Sequence, residues 1–436
     1  MNKKTKNNSQ QIPTGFKQTD IGLIPEDWEL KKLSEASEII MGQSPPSSTY
    51  NSEGNGLPFY QGKADFGNVY PTPRIWCTSP AKIAEKNDIL ISVRAPVGPT
   101  NLSFEKSGIG RGLSAIRTRE NHYLYLYYYL NKIEKVIEKL GTGSTFKAIN
   151  KSQLYNIEIP LPPLPEQKKI AYVLSKIQQA IEVQEKIIKT TQELKKALMQ
   201  KLFTEGLYGE PQKQTEIGPI PESWEVKEMS EITKITSGGT PSRKIPKYYT
   251  GENLWVKSGE LEDNIIEDTE EKITDEAIAN SSAKIFPQDT ILIAMYGATV
   301  GKTAILKKKS TTNQAVCAIL PNYDLFDPEF LRHYFITIRD KFLSQRYGGA
   351  QPNISQTIIK NTKVPIPSIT EQKEISKIFK NLDLKIVLQN NHLSILKEFF
   401  HTTLNQLMTG QIRVKDIEFK IEETQLSLLE KGQRDV

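Results

Sequence analysis

Cysteine is almost absent from this chain: Cys77 and Cys317 are the only two in 436 residues, and neither lies in a Cys-x-x-Cys or Cys/His cluster. No disulfide framework or cysteine-based zinc site can be built from them, which points to a reducing compartment. Histidine is scarce too; His122, His333, His392 and His401 are scattered, and no metal site is expected. No segment approaches the ~18 consecutive apolar residues of a membrane span. Residues 1–18 are rich in Lys, Asn and Gln and lack the apolar core of a signal peptide. A cytoplasmic protein is the expectation. Excess charge of one sign is also missing. Lys and Arg number 57 against 51 Asp and Glu, leaving +6, which permits a polyanionic partner without demanding one.

What is present is length and repetition. A chain of 436 residues is too long for one ordinary core and suggests two or more domains. The stretch from Thr19, TDIGLIPEDWELKKLSE, returns from Thr215 as TEIGPIPESWEVKEMSE. Gly22, Pro25, Glu26, Trp28 and Glu29 match Gly218, Pro221, Glu222, Trp224 and Glu225, and the match continues through Gly42 and Pro45 against Gly238 and Pro241. Later, Ile159-Pro160-Leu161-Pro162 leads into Glu166-Gln167-Lys168 as Val364-Pro365-Ile366-Pro367 leads into Glu371-Gln372-Lys373. A repeat on this scale sets the whole fold. Between the anchors the copies share hydrophobic pattern more than identity. AKIAEKNDILISV from Ala81 and AKIFPQDTILIAM from Ala283 both predict a turn feeding a buried strand. A kept frame with divergent faces suits a duplicated reader; plain drift after duplication is the alternative.

After each proline-rich turn comes a long helical pattern, over 166–203 and 371–408, without internal Pro or Gly. Each would be roughly 57 Å long at 1.5 Å per residue. The first seam reads Ile170, Leu174, Ile177, Ile181, Gln184, Ile188, Thr191, Lys195, Leu198, Leu202; the second reads Ile375, Phe379, Leu382, Ile386, Gln389, Leu393, Leu396, Phe400, Thr403, Leu407. A sustained seven-residue repeat predicts a left-handed coiled coil, and one polar residue in a seam can set its register. Gln184 and Gln389 share that layer, so pairing is expected through Ile177, Ile181, Gln184 and Ile188 against Leu382, Ile386, Gln389 and Leu393. Antiparallel pairing would put the two domains at opposite ends of one rod. The alternative is that each helix lies as a surface helix on its own domain.

Motifs for catalysis are missing. There is no glycine-rich cofactor fingerprint and no Asp/Asn-Pro-Pro-aromatic motif, so the chain should methylate nothing itself. Glu166-x-Lys168 and Glu371-x-Lys373 imitate half of a nuclease signature, but both open helices, where an early Glu favours the dipole, and neither has an upstream Pro-Asp partner. Gly297-Ala298-Thr299-Val300-Gly301-Lys302-Thr303 imitates a phosphate-binding loop, yet holds three residues between its glycines where the motif needs four. A strand-ending turn with a phosphate-facing lysine explains it better.

The order of parts carries a family resemblance over nearly the whole chain. A variable domain, a PLPPLPEQ turn, a long helix and a short linker are followed by a second domain, turn and helix. With the opening Ile-Gly-x-Ile-Pro-Glu-x-Trp phrase and Gly348-Gly349-Ala350-Gln351-Pro352-Asn353-Ile354-Ser355, the chain resembles the specificity subunit of Type I restriction–modification systems. The first unit departs at the last motif, reading GTGSTFKAIN from Gly141. The resemblance implies an α+β chain with two globular target recognition domains, each followed by a long helix, the helices pairing as an antiparallel coiled coil. The expected division is tail 1–18, domain 19–165, helix 166–205, linker 206–214, domain 215–370, helix 371–410 and tail 411–436. It also implies a non-catalytic subunit reading a bipartite, asymmetric target in double-stranded DNA. Its helices would act as a ruler and dock two methylase subunits, with restriction/translocase subunits joining. S-adenosylmethionine, ATP and magnesium belong to those partners.

Candidate DNA contacts follow from that expectation. In the first domain they are Ser44 and Ser47 in a loop after a strand, then Tyr60, Gln61, Lys63, Arg74, Arg94 and Arg111, and Lys147 in the exit loop. In the second they are Ser242, Arg243, Lys244, Lys257, Tyr296, Lys302, Asn313 and Gln314, with Gln351 and Asn353 in the exit loop. For any single arginine a solvated or phosphate-touching role competes with base reading. Two other readings stay open: a coiled-coil protein or inhibitor that captures methylase subunits without reading DNA, and a nucleotide hydrolase dependent on Lys302.

Overall fold

Both copies of the opening phrase fold into the same hairpin: Phe16–Thr19 pairs with Gly22–Pro25, and Gln212–Thr215 with Gly218–Pro221. Gly22 and Gly218 take φ of +110° and +114°, a conformation in which a side chain is strained, which accounts for glycine at that point of both repeats. Thr19 and Thr215 close the turns by donating from Oγ1 to the glycine carbonyls at 2.7 Å. The structure, a computed structural model, describes residues 12–142, 147–344 and 353–418.

The chain divides into two compact units, Met1–Gln184 with His392–Val436, and Glu185–Asn391. In the first, a four-stranded antiparallel sheet runs Thr100–Leu102, Ile89–Ser92, Leu113–Thr118, Ser37–Met41 in spatial order. Beside it, Leu57–Tyr60 pairs in parallel with Ser107–Ile109 in a five-stranded sheet. The second unit repeats the plan with Thr303–Leu306, Ile291–Ala294, Val316–Ile319 and Ile235–Ser237, and adds Asn264–Ile266 as a parallel edge strand. Its second sheet again holds a parallel pair, Asn253–Val256 with Ser310–Thr312. The apolar runs expected to form buried strands do so: every residue of Ile89–Ser92 and Ile291–Ala294 is buried. The turns feeding them place Asn87 and Asp289 at φ of +70° and +63°, where Asn and Asp are the tolerated non-glycine residues.

The two long helices span Leu164–Glu205 and Ile369–Met408, about 63 and 60 Å at 1.5 Å per residue. Each belongs half to one unit and half to the other. In the first unit Ile170, Ala171 and Leu174 share a core with Leu404, Leu407 and Met408, and Phe400 meets Tyr128 edge-on at 6.0 Å. In the second, Met199, Leu202 and Phe203 share a core with Ile375 and Phe379, the Phe203 and Phe379 rings lying 5.8 Å apart. The start of one helix therefore packs with the end of the other, which is antiparallel pairing. The surface-helix alternative fails because each helix end enters a core built from both. All ten positions of both seams are buried or half-buried, including Gln184 and Gln389. Lys195, a cation in the first seam, is held by Asp383 of the other helix.

Buried titratable groups make this fold acid-sensitive. The ring of His122 stacks on Tyr123 at 5.3 Å, and burial, with Lys168 nearby, draws its pKa from 6.5 down to about 4. Between those values the unfolded chain takes up a proton that the folded chain refuses. Stability is therefore lost as pH falls through 6.5 and the loss levels off below about 4. Going from about pH 7.5 to about pH 5 should cost the first unit about 2 kcal/mol through this group. His122→Phe is expected to remove that part of the pH dependence, read from urea midpoints at the two pH values. His333 in the second unit is lowered by burial as well, against the opposing hydrogen bond to Asp383, and adds a dependence of the same sign.

Candidate nucleic-acid interface

Loops from four strand ends meet around one cavity of about 430 Å³ in the first unit. Ser44, Gln61, Lys63, Arg94 and Arg111, five of the sequence-predicted contacts, line it, and no carboxylate is among its lining residues. Arg94 and Arg111 are exposed and make no ion pair among the described residues, whereas Arg74 is held by Asp65 at 2.5 Å and by the carbonyl of Ala64. Asp65 also accepts from the backbone N–H of Gln61 at 2.7 Å and so shapes the turn that presents Lys63. The loop after Ser37–Met41 is tied to the Arg111 tip, whose backbone N–H donates to Ser44 Oγ at 3.3 Å. Lys147 is exposed next to Ala148, whose backbone bridges to Arg94 and to Thr142. Ser47 is exposed in a short 3-10 turn outside the cavity lining.

Tyr60 requires a correction. It is 3% exposed, and burial drives its hydroxyl pKa well up. It packs with Leu90, Ile109 and Leu113, so it supports the loop from beneath and has no surface to offer a duplex. The sequence pattern around it, a tyrosine before Gln-Gly-Lys, does not tell an inward from an outward strand position.

The second unit builds the same loops with different chemistry. Arg243 places both terminal nitrogens on Glu271, at 2.5 and 3.1 Å, and stacks over Tyr249 at 4.0 Å. Lys257 is held by Glu270 at 2.6 Å and Glu271 at 3.2 Å, and Lys302 by Glu262 at 2.6 Å. Three expected DNA cations are thus committed to carboxylates within the unit. Gln314 is exposed and its side-chain carbonyl accepts from Thr240 Oγ1; Asn313 accepts from the N–H of Ala315 at 3.1 Å. Ser242, Lys244 and Asn353 are exposed, and Tyr296 is half-buried. Gln351 lies outside the described residues. The Gly297 to Thr303 turn joins two antiparallel strands; no helix follows it, so it lacks the element whose N-terminus holds phosphates in a nucleotide-binding loop. Among the described residues no cluster of His, Cys, Asp and Glu could hold a metal.

The repeat anchors prove to be structural. Trp28 donates from Nε1 to Glu166 at 3.3 Å and Trp224 to Glu371 at 2.9 Å, with both glutamates buried. Gln167 accepts from the N–H of His122 at 3.0 Å, and Gln372 from the N–H of Asp327 at 2.8 Å, fixing a neighbouring helix to the start of each long helix. The opening tryptophan and the Glu-Gln after the proline-rich turn are therefore one paired device, used twice. The family model for the Type I restriction modification DNA specificity domain fits residues 25–193, which hold the first pair, and again 221–398, which hold the second. This chain belongs to the family of Type I restriction–modification specificity subunits.

Relatives agree with the assignment. A Methanocaldococcus jannaschii protein named as the specificity subunit of a type I restriction enzyme, MjaX, is 50% identical over 193 residues, 43% of this chain and 45% of that protein. The MjaVIII specificity subunit of the same organism is 27% identical over 91% of this chain and 95% of its own length. The crystal structure of the S subunit from M. genitalium aligns with a TM-score of 0.58 over 87% of this chain and 96% of its own, at 19% identity, which shows a shared fold. No described helix of this specificity subunit is long and apolar enough to cross a membrane.

Two further features leave no trace in the local sequence. Arg413 grips both Glu166 oxygens at 2.8 Å and both Asp27 oxygens at 2.9 and 2.7 Å, joining the residues after the second helix to the first unit. Nothing local in the sequence marks Arg413 as a partner of residues some 250 and 390 positions away. The outer face of the second long helix also carries exposed apolar side chains away from the seam: Leu384, Leu388, Ile395 and Phe399 follow spacings of four, seven and four, each more than half exposed. The heptad count that located the seam leaves this second stripe unread.

Proposed function

We propose that this specificity subunit reads DNA, one half-site per recognition domain, and docks methylase subunits on its paired helices. The observation that carries the reading is the contrast between the two units: one scaffold, repeated down to its hydrogen bonds, presents guanidiniums without an ion pair among the described residues in the first copy and amide and hydroxyl groups in the second. Major-groove edges are told apart by such donors and acceptors, while phosphate contacts set position. Two unlike surfaces read two unlike half-sites, so the target is bipartite and asymmetric. The exposed apolar stripe on the second helix suits a partner that buries it, and two adenine-methylating subunits fill that role, with restriction/translocase subunits completing the enzyme. S-adenosylmethionine, ATP and magnesium serve those partners, in the cytoplasm. The chain itself carries no catalytic step.

The test is a methylation map of a host genome carrying this chain with its neighbouring methylase. A new bipartite, asymmetric motif methylated on adenine is the expected result and names the target in the same step. Absence of any new motif, with the complex shown to assemble, would shift the reading to capture of methylase subunits without DNA recognition.

A further inference from the structure

Arg111 and Gln314 stand at the same place in the two recognition domains, which neither repeat motifs nor sequence identity reveals. Each lies at the tip between two strands, and the backbone hydrogen bonds around the tips match one for one. The N–H before the tip donates to Tyr60 in one domain and Val256 in the other, from Gly110 at 2.8 Å and Asn313 at 2.9 Å. The residue after the tip accepts from Val93 at 2.9 Å and from Met295 at 2.8 Å, through Gly112 and Ala315. The loop behind is held by Gln43 N–H on Ile109 at 3.0 Å and by Gly239 N–H on Thr312 at 2.9 Å. One residue further on, Ser44 and Thr240 each use a hydroxyl to fasten the tip itself, on the Arg111 backbone and on the Gln314 side chain.

Both tip side chains are exposed. The Thr240 contact holds the Gln314 carbonyl by one lone pair, leaving its second lone pair and its NH₂ group to a ligand. Among the described residues Arg111 spends none of its guanidinium donors, and no carboxylate lines the adjacent cavity. The glycine following Arg111 lets the tip lie directly on the neighbouring loop: a Cβ at Gly112 would come within 2.1 Å of the Gln61 carbonyl. Each tip is thus a planar, two-pronged side chain on a backbone anchored to two sheets, the arrangement a base edge requires.

We propose that this shared tip is a base-reading position in both domains, with Arg111 selecting guanine and Gln314 selecting adenine in their respective half-sites. The inference rests on the DNA-reading function proposed above. The bidentate match of Arg to guanine O6 and N7 and of Gln to adenine N6 and N7 is what distinguishes the two bases. Nearby Arg94, whose counterpart by the same hydrogen-bond register is Tyr296, has no two-pronged hydrogen-bonding equivalent across the repeat and is left to the backbone or to a separate base.

Methylation maps of hosts carrying the intact chain with its methylase test this, for wild type, Arg111→Gln, Arg111→Lys and Gln314→Arg. Arg111→Gln should lower the preference for guanine at one base pair of one half-site by roughly 5- to 150-fold, toward adenine. Gln314→Arg should do the converse in the other half-site, and Arg111→Lys should keep guanine with a weaker preference. Where a variant methylates too little to map, competition binding of its complex to duplexes varied one base at a time reads the same preference. An unchanged motif with only lower yield in Arg111→Gln, as a phosphate contact would give, or a change in both half-sites, overturns the assignment while leaving DNA reading intact. No motif from the wild-type complex overturns DNA reading and this proposal with it.

Discussion

Removing seven residues from each long helix, 181–187 and 386–392, is expected to reduce methylation of the wild-type motif at least ~100-fold, on the reading that the helices set the distance between half-sites. Each excised heptad contains the polar seam residue of its helix, Gln184 or Gln389. Because seven residues are one full repeat of the seam, the apolar faces stay in phase and the antiparallel pair can reform. The length does not survive: seven residues at 1.5 Å remove about 10 Å, close to three base pairs of duplex. Three base pairs also correspond to roughly 100° of rotation about the DNA axis at 10–10.5 base pairs per turn. Two readers set for one face of the duplex would then be set for two. A methylation map and a thermal melt of the purified complex check this together. A folded complex that methylates the original motif at the original rate would sink the ruler idea.

Replacing Arg413 with leucine is expected to cost the first unit about 3–5 kcal/mol, the penalty for leaving a buried charge without its partner. That charge is Glu166, 2% exposed, whose remaining donor among the described residues is the Trp28 indole at 3.3 Å. The effect is large against the ~5–15 kcal/mol that keeps a domain folded. The Glu166→Gln/Arg413→Leu double variant should recover part of the loss, because a neutral amide no longer needs the guanidinium. In the second unit Glu371 takes its second hydrogen bond from the backbone N–H of Leu207 at 3.0 Å, a donor that no side-chain substitution removes. Urea unfolding of the whole chain, followed by the fluorescence of its four tryptophans, measures the difference. A loss below about 1 kcal/mol would place the Arg413 cluster with ordinary surface ion pairs.

The two units fasten the segments after their helices with different chemistry. In the first, the segment after the second helix is fastened by charge, through Arg413, Asp27 and Glu166. In the second, the segment after the first helix is fastened by the Leu207 N–H and by Glu210, which accepts from Ser223 Oγ at 2.6 Å. Both linkers begin with a glycine in the left-handed region, Gly206 at φ +67° and Gly410 at +70°, set against the ring carbons of Trp224 and Trp28. The junctions are therefore equivalent in path and different in chemistry, as the recognition loops are.

Several levels of this molecule were determined by the sequence alone. The duplication, the two long helices, the apolar seams along them and the family itself follow from short-range pattern: a heptad, a buried strand run, a glycine at a tight turn, a repeated phrase. These signals are local, and local signals survive in a string of letters. Which cations are free was decided only by the tertiary structure. Arg94 and Arg111 face a cavity without carboxylates, while Arg243, Lys257 and Lys302 read the same in sequence and are each claimed by a glutamate 13 to 40 positions away. Tyr60 went inward and Arg413 found Glu166 for the same reason. Ion pairing and burial depend on which distant segments the sheets and helices bring within about 4 Å, and no periodicity along the chain records that.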